Sequence, residues 1–234
     1  MTKPYAIPIV QNNLQKRTFV LSVGTNGNNQ TNKLKYTHKD AQDFYELVKE
    51  QELNDKHYSV ILQDTQVSYE STLDAFQWLQ TSTNDNDNIY IFLSGHGFID
   101  PFTKKYSFLL SENNTTKETL TADVLINFIS KISGNIVFFL DSCYSGNFND
   151  YIFTNIPKFK AKSFYSFTSS LSGQPSYEHL EFKNSCFTSA LIKTIRKNKR
   201  LLDITNTKQI HLYLSQELPL TCYGLQFSDY LKIN

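Results

Sequence analysis

Ile136-Val-Phe-Phe-Leu140, running on into Asp141-Ser-Cys-Tyr-Ser-Gly146, is the stretch from which the fold can be read. An unbroken apolar run rich in β-branched and aromatic residues leaves no polar face. That is how a strand covered on both sides reads, and such strands belong to mostly parallel sheets flanked by helices. Ile89-Tyr-Ile-Phe-Leu93 has the same character and continues into Ser94-Gly-His-Gly97. Phe19-Val-Leu-Ser-Val23, Tyr58-Ser-Val-Ile-Leu62 and Phe164-Tyr-Ser-Phe167 are further runs of strand length.

Between these runs the apolar period changes to that of a helix. Ala41, Phe44, Tyr45 and Val48 share one face, as do Leu73, Phe76 and Leu79. Val124, Leu125, Phe128, Ile129 and Ile132 form another, and Phe187, Ala190, Leu191, Thr194 and Ile195 a fourth. A weaker helix is expected over 207–217, and a last strand near Tyr223–Phe227. Thr37 and Thr121 suit the N-caps of the first and third helices. A short hairpin is expected at Tyr106-Ser-Phe-Leu-Leu110, after the Pro101 turn. Asn-rich patches at 26–32, 84–88 and 113–114 read as surface loops. Strands alternating with helices imply right-handed crossovers. The fold class is therefore α/β: a mostly parallel central sheet of about six strands with helices on both faces. One domain over 17–234 follows an irregular lead-in at 1–16.

Composition narrows the function. The chain has 234 residues, with Lys+Arg 23 against Asp+Glu 22, a net charge of +1. That balance lacks the cationic excess on which phosphate-backbone binding rests, so no nucleic-acid partner is expected. The basic run Arg196-Lys-Asn-Lys-Arg200 closes the fourth helix, where cations complement the helix dipole. No apolar stretch approaches the ~18 residues of a membrane span, and the amino terminus makes a poor signal peptide. A cytoplasmic protein without membrane contact is expected. Its 3 cysteines do not suit a disulfide framework, and no CxxC or HExxH supplies zinc ligands.

Ligands of open parallel sheets bind beyond the carboxyl ends of the strands. Two such ends carry reactive side chains, His96 in Ser94-Gly-His-Gly97 and Cys143 in Asp141-Ser-Cys-Tyr-Ser-Gly146. Each is flanked by glycine, which lets backbone approach a ligand closely. Cys143 follows His96 by 47 positions; in caspases the histidine stands roughly 50 residues before the nucleophile. Here the chain resembles the caspase and metacaspase group of cysteine peptidases, from about Arg17 to Phe227. Ser94-Gly-His-Gly97 is similar to the group's histidine motif. Asp141-Ser-Cys-Tyr-Ser-Gly146 is similar to the metacaspase form of its cysteine motif. The Gln-Ala that precedes the cysteine in caspases proper is replaced by Asp141-Ser142.

The resemblance implies a caspase-like fold and a cysteine endopeptidase acting through a Cys-His dyad. Cys143 would be the nucleophile and His96 the general acid–base. The backbone N–H groups of Gly97 and Cys143 would form the oxyanion hole. No third side chain is assigned as an orienter of His96. Residues two apart on a strand face one side, so Asp141 should project with Cys143 if the strand persists. A carboxylate there suits a basic P1 side chain, and the resemblance to metacaspases implies cleavage after Arg or Lys. Asp40 falls where metacaspases carry a second acid of that pocket; Thr37-x-x-Asp40 also reads as a capping box.

Many metacaspases depend on calcium, which needs several oxygen ligands. The segment after the histidine motif offers only Asp100, so no metal and no cofactor is expected. The segment 147–162, with Lys158, Lys160 and Lys162, reads as a surface loop and alternatively as an autoprocessing site. Cys186 and Cys222 read as packed thiols. Expected partners are protein or peptide substrates with a basic P1, and a regulatory partner protein. Regulated proteolysis, such as a stress response or anti-phage cell death, follows from the resemblance alone. The alternative is a caspase-fold signalling or interaction module without turnover.

Overall fold

The computed structural model describes residues 16–27, 33–51, 56–112, 116–155, 157–198 and 206–233. The lead-in expected over 1–16 lies almost wholly outside them, as do parts of the Asn-rich patches and residues 199–200 of the basic run. In chain order the first elements are β1 (Arg17–Gly24), α1 (Thr37–Gln51), β2 (Lys56–Gln63), α2 (Tyr69–Ser82), β3 (Asn88–Ser94), β4 (Gly97–Ile99) and β5 (Tyr106–Glu112). Then come β6 (Lys117–Thr121), α3 (Ala122–Ile129), β7 (Asn135–Asp141), α4 (Gly146–Asn155) and β8 (Ser163–Thr168). The last are β9 (Glu178–His179), β10 (Asn184–Ser185), α5 (Cys186–Lys197), α6 (Thr207–Thr221) and β11 (Asp229–Ile233).

The central sheet has 6 strands in the order β11-β8-β7-β3-β1-β2. All pairings in it are parallel except that of β11 with β8. Parity along the strands explains the unbroken apolar runs. Ile89, Ile91, Leu93, Ile136, Phe138 and Leu140 pack in one layer with α2, α3 and α4. Tyr90, Phe92, Val137 and Phe139 pack on the opposite face with α1, α5 and α6. β3 and β7 thus each feed two cores, and their interior positions are apolar on both faces. Register places Ser94 directly beside Asp141, on the α1/α5 side by the same parity. The hairpin expected near Tyr106 is real and belongs to a separate antiparallel sheet, β4-β5-β6.

Several expectations are corrected. The segment after Gly146 is not a loop but α4, whose Phe148 and Ile152 enter the core. Lys158, Lys160 and Lys162 are exposed, yet the amides of Lys160 and Lys162 donate to Ser130 and Gly134 carbonyls at 2.7 and 2.8 Å. The last strand is β11 rather than 223–227. Tyr223 and Gly224 have φ of 53° and 75°, a left-handed turn that an extended strand does not allow. Thr121 caps α3 by accepting the Val124 amide. Thr37 does not cap α1, because its buried hydroxyl has no hydrogen-bond partner. Just before the helix, the Glu178 carboxylate accepts the Lys35 and Tyr36 amides, each at 2.7 Å. Cys186 and Cys222 are buried, as expected, but not as thiols: they form a disulfide with Cα atoms 5.6 Å apart. Cys143 is the free cysteine.

Candidate active site

β7 ends at Asp141, and the chain then turns through Ser142–Ser145 into α4, so the extended run does not persist to Cys143. Tyr144, at φ 60°, carries the bend, a strained conformation for a bulky residue. It is held because its amide donates to the Gln174 carbonyl at 2.7 Å. Hydroxyls from the end of β8 fasten the rest. The Ser142 amide donates to Ser169 Oγ at 3.0 Å, and the Ser145 amide to Ser170 Oγ at 3.1 Å. The nucleophile candidate therefore sits on a turn fixed from the neighbouring strand end.

His96 follows the end of β3, where its carbonyl accepts the Leu109 amide at 2.9 Å and so joins β5. Gly27 of the β1–α1 connection backs the ring: a Cβ there would come within 3.1 Å of His96 Cδ2. Gly97 touches the nucleophile turn itself. A Cβ on it would lie 2.3 Å from the Cys143 carbonyl oxygen, so only glycine allows the two backbones this approach. The two backbones named for an oxyanion hole are thus adjacent.

Cys143, His96, Asp40 and Asp141 all line one narrow cavity of about 40 Å³ with Ser94, Ser176, Tyr177, Glu178 and Ser185. Among the described residues its lining contains these carboxylates and neither Lys nor Arg. Asp141, 3% exposed, accepts hydrogen bonds from the Ser185 hydroxyl, from Thr188 Oγ1 at 2.9 Å and from Ser176 Oγ at 3.3 Å. Burial nonetheless pushes its carboxyl up to about 6, against the pull of those donors. Asp40 accepts the Asn184 side-chain amide and the Ser185 backbone amide, each at 2.9 Å, and Ser94 Oγ at 3.1 Å. Its carboxyl is raised well above the usual range, first by burial and then by the Asp141 charge. Asp40 thus lines this cavity with its carboxylate engaged by Asn184, Ser185 and Ser94 rather than in a capping box. Ser185 bridges the two acids, giving its amide to one and its hydroxyl to the other while capping α5.

The thiol is less well provided. Cys143 Sγ accepts the Ser176 amide at 3.3 Å and lies 3.5 Å from the Ser176 carbonyl. Burial raises the thiol above its ordinary value, with a further rise from Asp141 and an opposing pull from the Ser176 amide. At rest it is protonated, and its reactivity calls for a base.

Ser176, Ser185, Thr188 and Gln226 were not singled out from the sequence. The signal that leads to Ser176 is the same strand-end rule: β8 also points its carboxyl end at this cavity, and the run Ser169-Ser-Leu-Ser-Gly-Gln-Pro-Ser176 follows it. Among the described residues no group of three or more His, Cys, Asp or Glu side chains is arranged to hold a metal ion. Asp100 uses its carboxylate locally, accepting the Phe102 and Thr103 amides at 3.0 and 2.7 Å in the β4–β5 turn. No described helix is long and apolar enough to cross a membrane.

The family model for the caspase domain matches residues 17–222. No curated protein matches the sequence. Among solved structures, the crystal structure of protein GSU0716 from Geobacter sulfurreducens superposes with a TM-score of 0.72 at 17% identity, covering 93% of this chain and 94% of that one. The Drosophila initiator caspase Dronc superposes with a TM-score of 0.59 at 10% identity, covering 92% of this chain and 78% of that one. At these identities the likeness is one of fold.

Proposed function

The chain belongs to the caspase-domain family, a family of cysteine peptidases, and on that premise we propose that it is an endopeptidase cleaving after Arg or Lys through Cys143 and His96. The carrying observation is the pair of buried carboxylates, Asp40 and Asp141, in the same cavity as the thiol and the imidazole. In the reaction, His96 takes the Cys143 proton as sulfur attacks the scissile carbonyl carbon. The carbonyl oxygen becomes an oxyanion beside the Gly97 and Cys143 backbone amides. Collapse expels the amine, which leaves with the proton from His96, and Cys143 is acylated. His96 then deprotonates a water that attacks the thioester, releasing the acid and restoring the thiol.

A P1 ammonium or guanidinium entering the cavity meets Asp141 and the carboxyl of Asp40. A cation stabilises the ionised form of each, offsetting the desolvation that raises them. An acidic P1 would face like charge and is excluded. The metacaspase-type preference, a cytoplasmic location and a regulatory partner belong to the same proposal. The test is hydrolysis of fluorogenic peptides carrying Arg, Lys or Asp at P1, with wild type and Cys143→Ala. Turnover of the Arg and Lys peptides by wild type alone is expected. Preference for Asp would overturn the pocket, and absence of turnover on every peptide would favour a signalling module of the same fold.

A further inference from the structure

The cavity wall at Ser176–Tyr177, against the Cys143 thiol, is held by a covalent device. Ser176 faces the thiol, and the next residue, Tyr177, is gripped on both sides of its backbone. Its amide donates to Gln226 Oε1 at 2.9 Å, and its carbonyl accepts the Cys186 amide at 2.8 Å. Gln226, fully buried, also donates through Nε2 to the Ser169 carbonyl at 2.7 Å and to Ser176 Oγ at 3.0 Å. The residues that grip Tyr177 are themselves linked, because Cys186 is bonded to Cys222 at the start of the turn that carries Gln226. On its other side Cys186 adjoins Ser185, the bridge between Asp40 and Asp141. One S–S bond thus ties together the thiol-facing segment and the donor to both acids.

Both cysteines line a second cavity of about 390 Å³, which shares Tyr177 and Glu178 with the first. Cys186 and Cys222 are themselves buried, but this cavity, edged by the exposed Leu180, Tyr223 and Leu225, is the side from which a small thiol would approach the bond. Cys186 is the first residue of α5, and a helix N-terminus stabilises a thiolate there. Cys186 is therefore the better leaving group in thiol–disulfide exchange. Disulfides of cytosolic proteins are mostly transient, catalytic or redox-sensing.

We propose that Cys186–Cys222 is a reversible redox site that sets the substrate-binding wall at Ser176–Tyr177, closed when oxidised and loosened when reduced. The proposal rests on the peptidase reading above for its effect on turnover. A reductant thiolate attacks Cys222 sulfur; the S–S bond breaks and Cys186 leaves as thiolate. A second reductant thiol then displaces Cys222. Two electrons pass from the thiols, which end as their own disulfide, and their two protons end on Cys186 and Cys222. The co-reactant is a dithiol or a pair of monothiols such as glutathione.

The experiment is a titration of the native protein in buffers of stepped reduced-to-oxidised glutathione ratio. Intact mass after alkylation, amide exchange at Tyr177, and KM and kcat on an Arg-P1 peptide are read at each step. As the disulfide opens, KM is expected to rise on the order of tenfold with a smaller change in kcat. The Tyr177 amide should lose protection over the same interval. A Cys186→Ser/Cys222→Ser variant should keep the high KM at every ratio, and it controls for oxidation of Cys143. A disulfide that stays closed throughout, or opens without moving either KM or Tyr177 exchange, would overturn the proposal. Absence of turnover at every ratio sinks the peptidase reading instead; mass and exchange on Cys143→Ala still decide whether the site is reversible and moves the wall.

Discussion

At the two carboxylates every neighbour donates: Ser185, Thr188 and Ser176 to Asp141, and Asn184, Ser185 and Ser94 to Asp40. At the thiol, which lines the same cavity, the hydrogen-bond contacts are with the Ser176 backbone, at 3.3 and 3.5 Å, and the sulfur holds its proton. On the proposed reading, the donors that hold the substrate-recognising carboxylates are in place before a substrate arrives. On the same reading, the attacking thiolate forms only when His96 takes the Cys143 proton. Burial acts on both regions in the same direction, raising carboxyl and thiol alike, and their donor sets make the difference.

The contrast breaks most completely at the sulfur. Cys143→Ala is expected to lower kcat/KM by about 10⁴-fold or more, since the remaining pocket supplies binding alone. Residual turnover near wild type would remove the thiol from the chemistry. Asp141→Asn keeps the shape and removes the charge that is ionised near neutral pH. Losing one partner of a buried, hydrogen-bonded charge pair corresponds to a fall of roughly 10²-fold in kcat/KM on Arg peptides, with Cys143 alkylation by a small reagent unaffected. Asp40→Asn should cost less, about tenfold, because the Asp40 carboxyl already favours its neutral form. Equal losses from the two substitutions would show that the acids are not differentiated.

The smallest effects are in pH. Burial pushes the Asp141 carboxyl up to about 6, so KM for basic peptides should fall as pH rises through 6, where the pocket gains its charge. Stability runs the other way. The folded carboxyl is raised above its unfolded value, so its contribution is complete below about pH 4 and lost as pH climbs through 6. Thermal unfolding across pH 4–7 should show this slope in wild type, on the order of 3 kcal/mol at most, and a shallower one in Asp141→Asn.

The central sheet was legible because β3 and β7 sit between two cores and cannot hide that in sequence. His96 and Cys143 were legible because they lie where those strands end. The helix α4 was not, since Gly146-Asn-Phe-Asn-Asp-Tyr-Ile-Phe-Thr-Asn155 is poor in helix formers and buries chiefly Phe148 and Ile152. Its shape comes from packing. β11 was misplaced by a few residues because the aromatics at Tyr223 and Phe227 flank a turn. The pairing of Cys186 with Cys222 depends on two elements meeting in space, 36 residues apart in the chain, which no spacing reveals. Asp40's donors are equally distant: Asn184 and Ser185 reach it across more than a hundred residues of sequence.

One measurement addresses acid pocket and thiol together. Peptidyl ketones that alkylate active-site thiols, matched except for Arg or Asp at P1, are incubated with the wild-type protein and the modified residue is located by mass spectrometry. The expected result is modification of Cys143, at least about 10²-fold faster for the Arg reagent, consistent with a charge-matched buried site. Equal rates, a faster Asp reagent, or a label at Cys186 or Cys222 with Cys143 untouched would contradict it.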